Sequence, residues 1–338
     1  MQDQSFTALV VRETTDGDIQ RRIEQKLLSE LPPGEVLVQV QYSSLNYKDA
    51  LSASGNRGVT KRYPHTPGID AAGIVVASND PRWHEGESVL CTGYDLGMNT
   101  SGGFGQYIRV PGSWLVRLPV GLSLLESMRL GTAGFTAAQC IWHLVRTDIK
   151  PGQGPVLVTG ATGGVGSIAI LLLHKLGYEV VAVTGKDSEH TFLTGLGATK
   201  VISRDSLLAG TDKQLLPIRW QGVVDTIGGA ALAAAIKSTG FDGVVTCCGN
   251  AASGDLPLSV YPFILRGVHL IGVYSANCSM DKRLQIWEKL AGEWKIETLA
   301  AISRIVALEE LEGEIQAMLA GQSKGRCVVA LRGEGNVP

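Results

Sequence analysis

The sequence is poor in the residues that build metal centres and disulfide scaffolds. It has six histidines and six cysteines among 338 residues, with no Cys-x-x-Cys pair and no cluster of histidines. The one adjacent pair, Cys247-Cys248, lies in an apolar run typical of a buried strand. Cysteines this sparse in a chain of this length favour reduced, buried thiols over a disulfide framework.

An excess of charge of one sign and long hydrophobic runs are also lacking. Thirty Lys and Arg residues against 32 Asp and Glu residues leave a net charge of −2. This balance gives no electrostatic reason to expect nucleic acid or an anionic membrane as the main partner. The apolar run at 168–173 is far shorter than the roughly 20 residues of a membrane-spanning helix, and residues 1–30 contain no apolar signal-peptide core. We therefore expect a cytoplasmic protein whose partner is a small molecule.

The chain is long enough for two domains, because 338 residues exceed the usual size of one hydrophobic core. Residues 1–125 are β-rich, and short apolar runs bounded by turn residues predict strands at 7–11, 35–41, 73–77, 88–91 and 106–110. From residue 126 apolar runs alternate with helical segments. This pattern predicts a doubly wound parallel sheet of the α/β class, with strands at 155–159, 179–183, 200–202, 222–225, 243–247 and 268–273. We expect a last strand, at 326–331, to return to the N-terminal domain.

Four glycines, Gly160, Gly163, Gly164 and Gly166, lie between a predicted strand and an apolar helix at 167–176. Their spacing, G-x-x-G-G-x-G, is not the standard G-x-G-x-x-G, so the spacing alone is a weak signal. The position between a strand and a helix strengthens it. Glycines there let the backbone approach a pyrophosphate, and the helix N-terminus supplies N–H groups and partial positive charge. The loop predicts a dinucleotide site.

The end of the next predicted strand distinguishes NADH from NADPH. NAD-binding folds carry an acidic residue about 20 residues after the glycine loop, where it bonds the ribose 2′-hydroxyl. This sequence has Val-Thr-Gly-Lys at 183–186, and Arg204 ends the following strand. Cations and small donors suit a 2′-phosphate, whereas a carboxylate would repel it. We therefore predict NADPH as the cofactor, although Lys186 is also compatible with an ordinary surface lysine and Asp187 with a helix cap.

Motifs along essentially the whole chain resemble those of the medium-chain dehydrogenase/reductase superfamily. In order, they are Ser44-Leu-Asn-Tyr-Lys-Asp49, Pro67-Gly-Ile-Asp-Ala-Ala-Gly73, Gly86-Glu-Ser-Val-Leu90, Gly102-Gly-Phe-Gly-Gln-Tyr107, Gly131-Thr-Ala-Gly-Phe-Thr-Ala137 and the glycine loop. The segments 45–51, 160–166, 173–177 and 262–266 are most similar to a group of zinc-independent quinone oxidoreductase-like proteins and NADPH-dependent acrylyl-CoA reductases. The resemblance implies a GroES-like substrate domain at 1–125, a Rossmann NADPH-binding domain at 126–275, and a segment at 276–338 that returns to the first domain. It places the reaction in the cleft between the two domains.

The resemblance also implies that the enzyme uses no zinc. Zinc-dependent members carry a Cys, a His and a further Cys at positions that here are Asn46, Ile69 and Thr132. Catalytic zinc is held by thiolate, imidazole and carboxylate groups, none of which these residues supply. The four-cysteine structural zinc lobe is missing as well, since only Cys91 lies in that part of the chain.

The cofactor contacts implied by the resemblance come from distant parts of the chain. They are Tyr47 near the nicotinamide, Thr162, Gly163, Gly164 and Val165 at the pyrophosphate, and Thr184, Gly185, Lys186 and Arg204 around the 2′-phosphate. Asn250, Ile264 and Ser275 follow along the adenosine and nicotinamide side, with Gly321 from the C-terminal segment.

The implied reaction is hydride transfer from NADPH to an electron-poor conjugated acceptor. In an enoyl thioester such as acrylyl-CoA, charge collects on the thioester oxygen, and in a quinone it collects on a ring oxygen. Without a metal, the donors to that oxygen are backbone N–H groups, Asn46 and the Tyr47 hydroxyl. Tyr47 either supplies a proton or only packs against the nicotinamide, while Asp49 and Asp70 are candidates for anchoring loops through backbone amides.

Three readings of the function remain open. The resemblance favours reduction of acrylyl-CoA to propionyl-CoA, and NADPH:quinone oxidoreduction is the alternative. The third hypothesis is not an enzyme but a protein that binds NADPH as a sensor. Arg57, Lys61 and Arg62 are candidates for the phosphates of CoA, or simply a solvated basic loop. We expect a homodimer that pairs through the strand at 268–273.

Overall fold

The computed structural model describes residues 4–331. The strands are β1 (Ser5–Glu13), β2 (Ile19–Leu27), β3 (Val36–Leu45), β4 (Asp70–Ser78), β5 (Ser88–Thr92), β6 (Tyr107–Val110), β7 (Leu115–Arg117), β8 (Val156–Val158), β9 (Val180–Thr184), β10 (Lys200–Ser203), β11 (Trp220–Asp225), β12 (Thr239–Cys247), β13 (His269–Gly272), β14 (Ser303–Ala307) and β15 (Arg326–Ala330). The α-helices are α1 (Tyr47–Ala53), α2 (Leu124–Arg146), α3 (Gly164–Lys175), α4 (His190–Gly195), α5 (Arg204–Leu208), α6 (Gly229–Lys237), α7 (Tyr261–Arg266), α8 (Met280–Ala291) and α9 (Leu311–Leu319). None of these helices has the length and apolarity needed to cross a bilayer.

The first of two compact units comprises the described residues 4–132, 276–284 and 297–331. Its main sheet has the order β14-β15-β3-β4-β5-β7, and β6 also pairs with β3. The strands are antiparallel except for the pair β14 and β15. The terminal strand β15 lies against β3 in the register Cys327↔Leu45 to Ala330↔Tyr42, which confirms that the end of the chain returns to the N-terminal sheet.

Several elements of the first unit were not predicted from the sequence. Strand β2 pairs with β1 over nine residues, but its apolar residues Ile19, Ile23 and Leu27 recur every fourth position instead of every second. That spacing hides the alternation typical of a strand. Helix α2, of which only residues 124–132 belong to this unit, was also missed. It is two helical pieces joined at Gly131, whose φ of 51° and ψ of −155° interrupt the helix.

The second unit comprises residues 133–275 and 285–296. Its six strands are parallel and follow the order β10-β9-β8-β11-β12-β13, which is the arrangement of a doubly wound dinucleotide-binding sheet. All six predicted strands are confirmed, with bounds that differ by a few residues. The central strands were predictable because strands covered on both faces are continuous apolar runs, as in β9, where all five residues are buried.

The two units differ from the predicted domain ranges in two places. The observed boundary follows Thr132 and not residue 125, and residues 285–296 belong to the second unit and not to the C-terminal segment. Residues 285–296 belong to the second unit because α8 packs against a residue of that unit. Trp287 is fully buried and stacks on Phe135 of the same unit, with ring centroids 5.8 Å apart.

Candidate active site

The glycine loop follows β8 and leads directly into α3. Gly160 has φ of 57°, and a Cβ on it would lie 2.1 Å from the Thr226 Oγ1 atom. A Cβ on Gly166 would lie 2.3 Å from the Gly160 carbonyl oxygen. Both positions therefore require glycine. Gly163 is the N-cap residue of the 12-residue helix α3. Residues 162–165 therefore lie at the start of the helix, the part of a dinucleotide site that meets a pyrophosphate.

The residues predicted to surround a 2′-phosphate lie together at the tips of two neighbouring strands. Strands β9 and β10 pair in the register Ser203↔Thr184, which brings Arg204 beside the end of β9. A Cβ on Gly185 would lie 3.2 Å from the Arg204 Nη2 atom, and the Thr184 hydroxyl accepts a hydrogen bond of 3.0 Å from the Lys186 backbone N–H. The tip of β9 thus presents a guanidinium and small donors without a carboxylate.

The other predicted contacts are divided between the two units. Asn250 follows the carboxyl end of β12, which is the same edge of the parallel sheet as the glycine loop. The Ser275 hydroxyl accepts a 2.8 Å hydrogen bond from Thr136, and Ile264 on α7 is 67% exposed. Gly321 lies in the first unit just beyond α9, with a φ of 69° that favours glycine.

The motif at 44–49 forms the corner between β3 and α1. Asn46 is the N-cap residue of α1, and Asp49 lies in the first turn. The Asp49 carboxylate accepts hydrogen bonds from the Asn46 backbone N–H at 2.8 Å and from the Ile69 backbone N–H at 2.8 Å. These bonds confirm Asp49 as an anchor of loops. Tyr47, the first residue of the helix, leaves this corner with its side chain 48% exposed.

Asp70 is the centre of a buried polar network next to this corner. Its Oδ2 atom accepts hydrogen bonds from the Ser44 hydroxyl at 2.6 Å, the Asn46 amide at 2.8 Å and the Thr132 backbone N–H at 2.9 Å. Its Oδ1 atom accepts one from the Thr132 hydroxyl at 2.6 Å. The Arg326 guanidinium donates to Ser44 Oγ at 2.8 Å and to Asn46 Oδ1 at 3.2 Å. Asp70 thus accepts a hydrogen bond from a backbone N–H, that of Thr132, as expected. It also connects β3, the N-cap of α1 and α2, which is more than the anchoring of one loop.

Burial of this network shifts the pKa of two of its groups. Burial raises the pKa of Asp49 to about 7, and the nearby Asp70 carboxylate adds to the rise, while hydrogen bonds from Asn46 and the Ile69 backbone N–H oppose it. Burial also lowers the pKa of Arg326, against the opposing effect of the Asp70 and Asp49 carboxylates. Asp49 is therefore the carboxyl group of this corner that takes up a proton near neutral pH.

The positions that hold zinc in zinc-dependent relatives do not fit a metal in this chain. Asn46 and Thr132 bond to the Asp70 carboxylate, and Ile69 is a buried alkyl side chain. Among residues 4–331, no three His, Cys, Asp or Glu side chains are grouped so that they could hold a metal ion. The side chains at the three positions thus bond to protein or are apolar.

The structure separates the two predicted donors, Asn46 and Tyr47. The Asn46 side chain is only 9% exposed, and its amide nitrogen lies within 3.2 Å of acceptors on Ser44 and Asp49 as well as 2.8 Å from Asp70. Its amide is therefore engaged inside the protein. The Tyr47 side chain is the exposed member of the pair.

The predicted basic loop is only partly available for a ligand. The Arg57 guanidinium lies 2.5 Å from a Glu13 carboxylate oxygen and donates to the Lys61 carbonyl oxygen at 2.8 Å. It also lies over the Tyr63 ring at 5.1 Å from the centroid. These contacts give Arg57 a structural role, whereas the side chains of Lys61 and Arg62 are exposed.

Sequence reasoning missed the residues that complete the Asp70 network. Ser44 and Arg326 are 282 positions apart, and no local pattern connects them. Arg326 is 2% exposed, although arginine in a sequence usually indicates a surface position. Only the pairing of β15 with β3 brings the two residues together.

Comparison with known proteins relates both units to dehydrogenases. The family model described as alcohol dehydrogenase GroES-like domain matches residues 32–120, and that described as zinc-binding dehydrogenase matches residues 164–291. The chain is 45% identical to the Bacillus subtilis protein named "Putative quinone oxidoreductase YhfP", over 96% of this chain and 99% of that protein. It is 43% identical to acrylyl-CoA reductase AcuI of Ruegeria pomeroyi, over 96% of this chain and 98% of the relative.

Solved structures agree with these relationships. The structure of Bacillus subtilis YhfP with NAD bound superposes with a TM-score of 0.94 at 44% identity, covering 97% of this chain and 100% of that chain. The yhdH oxidoreductase of Salmonella enterica in complex with NADP superposes with a TM-score of 0.93 at 42% identity, covering 96% of this chain and 100% of that chain.

Proposed function

Because the chain belongs to the medium-chain dehydrogenase/reductase superfamily, in the group that contains AcuI and YhfP, we propose that it reduces acrylyl-CoA to propionyl-CoA with NADPH. A hydride moves from the nicotinamide to the β-carbon, and the electron pair of the C=C bond moves to the thioester oxygen as an enolate. A proton then adds to the α-carbon. The 43% identity to AcuI over 96% of the chain is the observation that carries the substrate assignment.

The choice of NADPH is supported by the tips of β9 and β10. The Arg204 guanidinium lies beside Gly185, and no acidic residue occurs at 183–186. A guanidinium binds a phosphate through charge-assisted hydrogen bonds, which the 2′-hydroxyl of NADH cannot make with equal strength. Since YhfP has been solved with NAD bound, NADH is the necessary comparison in every assay.

Hydrogen bonds must stabilise the enolate if the reaction uses no metal. Tyr47 is exposed beside the network centred on Asp70, and we propose that its hydroxyl donates to the thioester oxygen. We propose a different role for Asn46, which is to hold the start of α1 in position, because its amide is engaged by Asp70, Asp49 and Ser44.

The decisive assay compares acceptors under the same NADPH concentration. We expect the kcat/KM for acrylyl-CoA to exceed that for 1,4-benzoquinone. A much higher value for the quinone would favour the second candidate, a quinone reductase, which the 45% identity to YhfP supports. NADPH binding without consumption across enals, enoyl-CoAs and quinones would instead favour a sensor.

We also propose that the protein is a homodimer that pairs through the outer edge of β13. Within the described residues, β13 pairs only with β12, and apolar side chains on and near it are exposed, with Leu265 at 56%, Leu270 at 37% and Tyr261 at 44%. An unpaired apolar edge is a template for pairing with a second chain. Light scattering should report twice the 35.9 kDa chain mass, and Leu270→Lys should shift the protein to monomer. A wild-type monomer at working concentrations would contradict this assembly.

A further inference from the structure

We propose that Asp70 is a positioning residue for the reduction described above, and that its carboxylate fixes Asn46 and thereby the orientation of Tyr47. The inference rests on the proposed function for its assay, but its structural basis lies in the first unit alone. Asp70 begins β4, and its side chain is fully buried. It therefore acts through its neighbours.

The carboxylate connects three separate segments of the chain. Ser44 lies near the end of β3, Asn46 caps α1, and Thr132 lies at the interruption of α2. All three donate to Asp70, with four hydrogen bonds between 2.6 and 2.9 Å. The Asp70 carboxylate is thus the common acceptor for all three segments.

The positively charged Arg326 binds two of the side chains that donate to Asp70, Ser44 and Asn46. Its guanidinium donates to Ser44 Oγ at 2.8 Å and to Asn46 Oδ1 at 3.2 Å. Asn46 is therefore held at both ends of its amide, with its oxygen facing Arg326 and its nitrogen facing Asp70. Asn at position 70 would keep the volume but remove the carboxylate charge that favours the charged guanidinium.

The network is also packed tightly enough to hold one geometry. A Cβ on Gly131 would lie 2.5 Å from Asp70 Oδ2, 2.5 Å from Ser44 Oγ and 2.8 Å from Arg326 Nη2. The backbone at Gly131 thus closes one side of the network. Any side chain at position 131 would therefore displace the groups that hold the Asn46 amide.

Tyr47 is fixed by this arrangement because it directly follows Asn46. Asn46 has extended backbone angles, φ −125° and ψ 160°, and α1 begins at Tyr47. The direction in which the tyrosine leaves the corner is set by the backbone that the Asp70 network holds. A displacement of about 1 Å in a group aimed at the reacting atoms costs on the order of a hundredfold in rate.

The test is a double-mutant cycle between Asp70→Asn and Tyr47→Phe. We expect each single variant to lower kcat for acrylyl-CoA at least about tenfold, and the double variant to be little worse than Tyr47→Phe alone, because residues that act as one unit are not additive. The Kd for NADPH should be unchanged in Asp70→Asn. A purely structural role would instead multiply the two losses.

Matched variants keep the result interpretable if Asp70→Asn folds poorly. Ser44→Ala removes one hydrogen bond to Asp70 and one from Arg326, and it should show the same non-additivity with a smaller loss. Asp80→Asn is the control, because Asp80 is a buried carboxylate of the same unit that pairs with Arg82 outside the network, and it should leave kcat unchanged.

Multiplicative losses in both cycles, or an unchanged kcat in Tyr47→Phe, would overturn the positioning role. Failure of the substrate assignment has a different signature, since the wild-type protein would then reduce 1,4-benzoquinone in preference to acrylyl-CoA. In that case the same cycle is measured with the quinone. A wild-type protein that oxidises NADPH with neither acceptor overturns both proposals.

Discussion

Replacement of Asp49 by Asn should remove a pH dependence of folding stability that the wild-type protein carries. The Asp49 side chain is fully buried, and its pKa is raised to about 7 chiefly by that burial, with a further contribution from the Asp70 carboxylate. In the unfolded chain a carboxyl group of this type has a pKa near 3.8. The folded protein therefore binds a proton at Asp49 over a pH range in which the unfolded chain does not.

The sign and size of the effect follow from linkage. Because the folded pKa is the higher one, the contribution to stability is fully present below about pH 4 and is lost as the pH rises through 7. The difference between these two pKa values corresponds to roughly 4 kcal/mol, of which about 3 kcal/mol is lost between pH 4.5 and pH 7.5. Deprotonation at higher pH leaves a second carboxylate buried beside Asp70.

The assay is urea denaturation of the wild-type protein and Asp49→Asn at several pH values in this range. Other groups also titrate, so the informative quantity is the difference between the two proteins at each pH. Relative to Asp49→Asn, the wild type should lose about 3 kcal/mol of unfolding free energy from pH 4.5 to pH 7.5. In Asp80→Asn, the matched control, the difference from wild type should stay constant, because Asp80 pairs with Arg82 and its pKa is lowered to about 2.

A constant difference for Asp49→Asn would refute the reasoning. It would mean that Asp49 is ionised in the folded protein throughout this range. The guanidinium of Arg326 and the backbone donors to Asp49 would then outweigh burial, and the buried network would contain two carboxylates at neutral pH.

Three further predictions test other parts of the molecule. Arg204→Gln should raise the Kd for NADPH about 10- to 100-fold, the value of a charge-assisted hydrogen bond, and leave that for NADH unchanged in a fluorescence titration; equal losses would remove Arg204 from the 2′-phosphate site. Gly166→Ala should lower the unfolding free energy by about 1–3 kcal/mol, because its Cβ would lie 2.3 Å from the Gly160 carbonyl oxygen. Burial lowers the pKa of His65, so its contribution to stability is present above about pH 6.5 and lost at lower pH. His65→Gln should therefore reduce the loss of unfolding free energy between pH 7 and pH 5 in denaturation experiments. An unchanged loss would contradict this.

The second unit was largely predictable from the sequence because its determinants are local. A buried parallel strand is a short apolar run, and the glycine loop follows such a run directly, as β8 precedes Gly160. The place of Arg204 was also predictable, because it directly follows the strand after β9 in the sequence. The first unit was less predictable. Strand β2 has no buried residue, so its sequence lacks the apolar alternation of a strand, and it forms through pairing with β1.

The candidate site in the first unit could be predicted only in part. The motif at 44–49 pointed to Asn46 and Tyr47, but it suggested the same role for both. Their difference depends on Asp70 and Arg326, which reach Asn46 from β4 and β15. Hydrogen bonds between residues 24 and 280 positions apart leave no periodic trace in a single sequence. The different roles of Asn46 and Tyr47 depend on side-chain contacts between strands that are distant in the sequence. Secondary-structure propensities and residue spacing contain no information about those contacts.

The Asp70 network also limits how this protein can meet negative charge on a substrate. The resemblance implies that zinc-dependent members hold a cation at the positions that here are Asn46, Ile69 and Thr132. In this chain the guanidinium nitrogens of Arg326 already donate to Ser44, Asn46 and the carbonyl oxygens of Leu45 and Arg129. A guanidinium engaged in this way and 2% exposed stabilises the scaffold before any substrate binds. We therefore expect the exposed Tyr47 hydroxyl, and not Arg326, to carry the stabilisation of a developing enolate.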